Sequence, residues 1–173
     1  MNVVDIAIAG RAAELGAEFD RSFAQPAYTD DDHRIDIVTL RVATASYAVR
    51  ISEIAGLFAD IWITRCPSHV AEFRGLIGVR GALFPVYDLA ALLGHSSGQP
   101  RWILVGKAAP VAFAFEAYDG HFRLSSKAIA ARGAGQSTQA IASHNGNAWP
   151  IIDIANLIAA IRKKSPQPAI HKE

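Results

Sequence analysis

The sequence contains one pattern twice. "FPVYDLAALL" at 84–93 and "WPIIDIANLI" at 149–158 each place an aromatic residue, a proline, two apolar residues and an aspartate before an apolar-rich run. Upstream, "YAVRISEIAGLF" at 47–58 and "VAFAFEAYDGHF" at 111–122 agree in alanine, glycine and phenylalanine positions. The offset is 64 residues upstream (47 to 111) and 65 downstream (84 to 149). A register kept over this length predicts a duplicated unit of several short strands.

Alternating polar and apolar residues predict that these strands form hairpins. "IDIVTLRV" alternates from Ile35, "ATAS" makes a turn, and "YAVRISEI" alternates again as an antiparallel return. Arg80-Gly81 separates two further apolar runs as a second hairpin, and Asp119-Gly120 and Asn145-Gly146 carry the residues that type I′ turns prefer. We therefore expect a mainly β protein built as two related small barrels.

The repeated prolines and aspartates have structural roles in this interpretation. Pro85 and Pro150 lack an amide hydrogen, so each is expected at a strand edge or exit, where strand gives way to helix. Asp88 and Asp153 precede apolar runs and are predicted to cap a short helix after each barrel. This capping role is favoured over a catalytic carboxylate dyad.

The chain divides by composition. Residues 1–34 hold seven acids against three bases, and a stripe at helical spacing predicts an amphipathic helix, either packed on its own domain or serving as a partner-binding arm. We predict this N-terminal extension, then a domain at 35–161 with barrels at about 35–95 and 101–161, then a basic tail at 162–173. The helical stripe consists of Ile8, Ala12, Leu15, Phe19 and Phe23.

Composition narrows the possible functions. A net charge of +1 with 51% apolar residues indicates a soluble globular protein and argues against nucleic acid as a partner. The single cysteine, Cys66, excludes an internal disulfide and a cysteine-based metal framework, and the six histidines are scattered, so no metal or other cofactor is expected. A poor signal peptide and the lack of a long apolar run predict a cytoplasmic protein that does not insert into a membrane.

Two short motifs suggest other classes of function. Ser96 in "GHSSG" fits the G-x-S-x-G pattern of a serine hydrolase, but that pattern needs a strand before it and a helix after it. "GVRG" at 78–81 fits the G-x-x-G loop of some RNA-binding domains, but it lacks a basic or aromatic platform. Neither context favours the motif's function.

The stretch "EFRGLIGVRGALFPVYDLAALLG" resembles the CheW-like domain. That family has a glycine, two apolar residues, Asn-Leu-Arg-Gly, then apolar residues into Pro-x-x-Asp-Leu. Here Gly75 begins the pattern, Arg80-Gly81 ends its central motif, and Pro85 and Asp88 follow. The resemblance continues through "YAVRISEIAGL" upstream and through "NGNAWPIIDI" downstream, which contains Gly146, and covers about 35–161.

The resemblance implies two five-stranded SH3-like barrels around a joint core, without catalytic activity. Such domains are adaptors that hold the CheA histidine kinase to the cytoplasmic tips of chemoreceptors in membrane-associated arrays. An adaptor of a related pathway, such as twitching motility or second-messenger control, is the alternative. The family's motif asparagine is Gly78 here, and the arginine that often follows Glu-Ile is Ala55.

The resemblance also implies partner-binding residues. Arg80 occupies the position linked to receptor and kinase coupling, with Val79 and Gly81 beside it, and Glu53 matches the glutamate of the family's Ile-x-Glu-Ile strand. Leu57 follows that strand and belongs either to a binding groove or to the core. Turn chemistry also points to Arg80, because the equivalent turn in the second half of the chain has the turn-favouring Asn145 at this position.

Overall fold

The computed structural model describes residues 34–131 and 137–164. Within these ranges the chain is mainly β, with eleven strands, two α-helices and two 3₁₀ turns at Ile51–Glu53 and Ser126–Ala128. The strands are β1 Arg34–Val42, β2 Ala45–Arg50, β3 Ile54–Ala59, β4 Phe73–Val79, β5 Ala82–Asp88, β6 Trp102–Gly106, β7 Ala112–Phe115, β8 Ala117–Ser125, β9 Ile129–Ala131, β10 Thr138–His144 and β11 Asn147–Ile152. The helices are α1 Leu89–Leu92 and α2 Ile154–Lys164.

The strands form two sheets, and each sheet takes strands from both halves of the chain. The first has the order β8-β1-β2-β11-β10-β9, and the second has the order β3-β6-β7-β5-β4. Strand β3 of the first half pairs with β6 of the second, and β8 of the second half pairs with β1 of the first. The duplication is thus visible as an exchange of strands between halves, and the division at 35–95 and 101–161 stays a prediction.

The exchange occurs where the chain changes sheet. The predicted single strand "YAVRISEI" is wrong in this respect, because β2 ends at Arg50, a 3₁₀ turn follows, and β3 begins in the other sheet at Ile54. The second half does the same at Glu116, between β7 and β8. Alternation continues through each crossing, so hydrophobic pattern alone does not reveal it.

Three predicted hairpins are confirmed and one is wrong. The first joins β1 to β2, which pair antiparallel. Arg80-Gly81 joins β4 to β5, and Asn145-Gly146 joins β10 to β11. Asp119-Gly120 instead lies inside β8, where the pairing with β1 shifts register between Thr39 and Leu40. The pair forms a β-bulge, which needs the same permissive backbone as a turn and therefore gives the same local signal.

A second bulge lies in β3, where the pairing with β6 shifts register between Ile54 and Gly56. Both bulges place a glycine beside an aromatic ring. A Cβ added at Gly56 would lie 3.0 Å from the Phe58 ring, and one added at Gly120 would lie 3.5 Å from the Phe122 ring. Covering a strand glycine with a nearby aromatic ring shields the exposed backbone from water. The repeated glycine and phenylalanine positions therefore have a structural cause.

The main core lies between the sheets. It joins buried residues of both sheets to the apolar face of α2, including Leu40, Leu104, Phe113, Ile152 and Leu157. Each sheet also has a smaller cluster of its own. Both halves therefore contribute to one shared core.

The predicted final helix is confirmed as α2. The predicted N-terminal helix and most of the predicted basic tail lie outside the described residues. Among residues 34–131 and 137–164, no helix has the length and apolar character needed to cross a membrane.

Candidate partner-binding site

The Arg80 hairpin, residues 79–82, presents its arginine in a tight two-residue turn. Val79 pairs with Ala82, and Arg80 and Gly81 have φ angles of +49° and +80°. Asn145 and Gly146, at the equivalent turn in the second half of the chain, have φ angles of +48° and +79°. The two turns therefore share one conformation, and only the residue at the first position differs in chemistry.

This conformation is unfavourable for arginine. A left-handed backbone brings Cβ close to the following carbonyl oxygen, at a cost of about 1 kcal/mol or more, and asparagine tolerates it better because its short amide makes local hydrogen bonds. Arg80 is nevertheless exposed and makes no hydrogen bond or ion pair with any other residue in the described ranges. Nothing in the described fold compensates the cost.

The backbone of the Arg80 hairpin is anchored by Val79. Val79 packs against the small core of the second sheet, whereas a Cβ at Gly81 or Gly78 would meet nothing within 4 Å. Leu83, on the outgoing strand, is 70% exposed. The hairpin therefore offers a guanidinium and an apolar side chain to solvent on a backbone anchored by Val79.

The resemblance implied a strand position for Glu53, and the structure corrects this. Glu53 lies in the 3₁₀ turn between β2 and β3, and its side chain is 25% exposed. Its Oε1 accepts hydrogen bonds from Arg50 Nη1 at 3.3 Å and from Gln139 Nε2 at 2.9 Å. Its Oε2 is buried and has no hydrogen-bond partner among the described residues.

This carboxylate lines the Glu53 cavity, an open depression of about 530 Å³. The cavity collects residues from the crossing turn, the loop after β6, β10 and the start of α2. Its lining is Ser52, Glu53, Lys107, Ala108, Gln139, Asp153, Ile154 and Ala155. Residues distant in sequence thus meet at the sheet crossing, and neither Gln139 nor Lys107 carries a local signal that would have predicted this.

Leu57 and Phe58 are packing residues. Leu57 contacts the shared core, and Phe58 contacts the cluster of the second sheet. Leu57 is only partly buried and occupies edge strand β3. Its main contacts are internal, and its direct contribution to binding stays a prediction.

Asp88 caps α1 as predicted, and it has a partner that the sequence did not indicate. Its Oδ1 accepts from the Ala91 amide at 3.2 Å, and its Oδ2 accepts from Arg74 Nε at 2.8 Å and from Arg74 Nη2. Burial raises the pKa of the Asp88 carboxyl, but hydrogen bonds from Arg74, Ser97 and the Ala91 amide hold that pKa below its ordinary value. Asp153 caps α2 by accepting from the Asn156 amide at 2.9 Å.

Gly75 lies where β4 meets the segment after β3. Its φ is +141°, and an added Cβ would lie 2.1 Å from the carbonyl oxygen of Thr64. Thr64 and Leu76 exchange two backbone hydrogen bonds of 2.9 Å at this point. The glycine is therefore required by the close approach of two backbone segments.

The prolines lie within strands and not at their ends. Pro85 pairs with Leu76 on one side, and β5 runs on to Asp88. Pairing of β5 with β7 begins only at the next residue, Val86. Pro150 likewise precedes Ile151, where β11 contacts β2. Each proline therefore lies one residue before its strand begins to pair with a second neighbouring strand. Its missing amide hydrogen removes no hydrogen bond to that neighbour.

Ser96 lies in a context unlike a nucleophile elbow. It is exposed in the loop between α1 and β6, after a helix and before a strand. The adjacent His95 has its Nε2 2.7 Å from the Tyr47 hydroxyl. The strained strand-to-helix turn that activates a hydrolase serine is replaced here by the opposite order of elements.

Comparisons with known proteins agree with this fold. A family model described as the CheW-like domain matches residues 36–162. Among solved structures, the scaffolding protein TtCheW from Thermoanaerobacter tengcongensis is similar, with a TM-score of 0.65 and 20% sequence identity, over 71% of this chain and 91% of that chain. At this identity the structural similarity shows the fold alone. No curated protein matches the sequence.

Proposed function

The chain belongs to the CheW-like domain family, and we propose that it is a non-catalytic adaptor that couples a CheA-type histidine kinase to chemoreceptors. The kinase's regulatory domain and the receptor's cytoplasmic tip are the proposed partners. In this proposal the protein acts in the cytoplasm and joins receptor arrays through protein contacts, without a cofactor.

The single observation that supports this proposal most strongly is the Arg80 hairpin. An exposed guanidinium occupies a left-handed turn position for which asparagine is better suited. Arginine offers five donors in a planar fork that matches carboxylates and carbonyl oxygens at a helix end. A partner that accepts these hydrogen bonds would compensate the conformational cost that the described fold leaves uncompensated.

The Glu53 cavity supports a second contact. The Glu53 carboxylate lines this open cavity, and its buried oxygen Oε2 has no donor among the described residues. Leaving such an acceptor unpaired costs about 1–3 kcal/mol. A donor side chain of a partner would satisfy it. We therefore propose that Arg80 and Glu53 bind on different elements, with Val79, Gly81 and Leu57 supporting their positions.

The related-pathway alternative rests on two substitutions. Gly78 and Ala55 replace residues that the resemblance expects, and both are exposed. Gly78 stands two residues before Arg80, and Ala55 stands two residues after Glu53. A different set of receptors, serving twitching motility or second-messenger control, would account for changed chemistry beside both proposed contacts.

The proposal is tested by titrating the full chain with a CheA-type kinase regulatory domain and, separately, with a receptor-tip fragment. Binding of each partner is expected in the micromolar range typical of small, transient interfaces. Arg80→Glu should weaken binding by about tenfold or more, because it replaces the guanidinium donors with a carboxylate that repels the partner's acceptor group.

Asn145→Glu is the matched control, because it introduces the same residue at the equivalent turn position. It should leave both affinities unchanged. A folded chain that binds neither partner would exclude the adaptor function. Equal losses for the two variants would show that the effect comes from the turn and not from the Arg80 contact.

A further inference from the structure

Trp62 is the most exposed large apolar side chain in the described part of the chain. It is 86% exposed, compared with 70% for Leu83 and 37% for Ile51 and Tyr118. Burial of an indole removes a large apolar area from water, so an exposed tryptophan is costly unless a partner covers it. Tryptophan is also enriched among residues that dominate binding energy at interfaces.

The backbone holds this tryptophan outward. Ile61 and Ile63 pack against the core of the second sheet and Trp62 between them faces solvent, which is the alternation of an extended segment. On one side, the Asp60 amide donates to the Arg101 carbonyl oxygen at 2.9 Å. On the other, Thr64 is bonded to β4. Trp62 is therefore presented by a segment tethered at both ends.

Two surface depressions border Trp62. One, of about 590 Å³, is lined by residues that include Asp60, Trp62, Arg101 and Glu116. The other, of about 680 Å³, includes Trp62, Arg65 and Arg74. Gln99 and Pro100 line both depressions. An extended segment crossing the indole would have room for a side chain in each depression.

The two depressions differ in charge, because Asp60 and Glu116 line only the one that lacks Arg65. Arg74 pairs with Asp88, and Arg101 pairs with Asp60 through an Nε–Oδ1 distance of 2.9 Å. Arg65 is exposed and forms no ion pair with any residue in the described ranges. The depression that contains Arg65 has no acidic residue in its lining. The depression that contains Arg65 therefore favours an acidic side chain of the occupant.

Between these two tethered ends, the backbone amides lack pairing. The amides of Ile61, Trp62 and Ile63 donate to no backbone oxygen in the described part of the chain. An extended segment with unpaired amides beside an exposed aromatic residue is the arrangement to which an added strand binds. The occupant is then an extended chain, and side chains at alternate positions reach the indole.

We propose that one surface, here called the Trp62 surface, binds an extended protein segment in which acidic and apolar residues alternate. The Trp62 surface consists of Trp62, Arg65, Gln99 and Pro100. An apolar side chain packs on the indole, and a carboxylate pairs with Arg65. This interaction goes beyond the adaptor function, because the surface shares no residue with the Arg80 hairpin or the Glu53 cavity.

The test uses the full chain and three short fluorescent peptides, measured by anisotropy. One peptide alternates Glu with Leu, one replaces Glu by Lys, and one replaces Leu by Ser. The Glu-Leu peptide should bind with a Kd of roughly 10–100 µM, as expected for a small surface, and the other two more weakly. Trp62→Ala should weaken binding about tenfold or more, and Arg65→Glu should shift preference to the Lys-Leu peptide.

Arg162→Glu is the matched control for net charge, because Arg162 is exposed at the end of α2, and it should leave all three affinities unchanged. Thermal melting should be the same for Trp62→Ala and the wild type, since the indole has few internal contacts. Equal binding of Glu and Lys peptides, no binding at all, or no effect of Trp62→Ala would overturn the proposal. Self-association by sedimentation that disappears in Trp62→Ala would assign the surface to a second copy and would also overturn it.

Discussion

Exchanging the residues of the two equivalent turns separates stability from binding. Arg80→Asn gives the first hairpin the residue of the second, and Asn145→Arg does the reverse. Both positions have φ near +48° and precede a glycine with φ near +80°, so the backbone requirement is the same. The two substitutions should therefore change the free energy of unfolding by similar amounts and with opposite signs.

The magnitude follows from the turn geometry. A left-handed non-glycine residue costs about 1 kcal/mol or more, and asparagine avoids part of that cost. Arg80→Asn loses no internal hydrogen bond within the described chain, so it should stabilise the protein by about 0.5–1 kcal/mol. For a domain of this size, this raises the Tm by roughly 1–4 °C. Asn145→Arg should lower the Tm by a similar amount.

Binding should respond in the opposite sense at Arg80. Loss of a charge-assisted hydrogen bond costs about 1.5–3 kcal/mol, or roughly a tenfold to hundredfold loss of affinity for the kinase or receptor fragment. Differential scanning calorimetry and titration calorimetry on the same preparations measure both effects. A lower Tm for Arg80→Asn would make Arg80 a structural residue, and unchanged affinity would refute its role in binding.

Three further predictions concern stability, and the repeat provides a comparison for the first. Asp88→Ala should cost about 2–3 kcal/mol by urea denaturation, since it removes a helix cap and the partner of Arg74, whereas Asp153→Ala should cost only the cap, about 1 kcal/mol; equal losses would contradict this. Folding lowers the pKa of Asp88, so its contribution to the free energy of unfolding is full above the unfolded pKa of about 4 and is lost as pH falls through the lower folded pKa. Asp88→Asn should therefore reduce the acid-induced loss of stability measured between about pH 5 and 2. Gly75→Ala should destabilise by more than about 2 kcal/mol because its Cβ would overlap the Thr64 carbonyl, and a near-neutral result would contradict that packing.

Sequence periodicity predicted much of the fold because local chemistry determined those elements. The Arg80-Gly81 and Asn145-Gly146 turns need left-handed backbone, and Asp88 and Asp153 need only neighbouring amides to cap a helix. These requirements act within a few residues. They are therefore legible in a single sequence.

The missed features depend on contacts between distant segments. The chain crosses between sheets at Ile51–Glu53 without interrupting its apolar alternation, so one strand was predicted where two exist. Asp119-Gly120 gave the same signal for a bulge as for a turn, and only pairing with β1 distinguishes them. Composition does not encode such pairing directly.

The candidate site was predictable in part for the same reason. Arg80 was proposed from the resemblance, and its turn adds a local requirement that arginine meets poorly. The environment of Glu53 required the meeting of Gln139 from β10 with a turn some eighty residues earlier. The exposure of Trp62 likewise depends on Thr64 pairing with β4, which orients the segment.

The most direct test of the adaptor account is a reconstituted kinase assay. A CheA-type kinase and a receptor-tip fragment are combined with the full chain, and phosphate transfer is followed with and without the receptor. The account predicts that kinase activity depends on the receptor only when the wild-type chain is present, and that Arg80→Glu removes this dependence while Asn145→Glu retains it. Kinase activity that is the same with and without the chain, at concentrations where the chain is folded, would contradict the account.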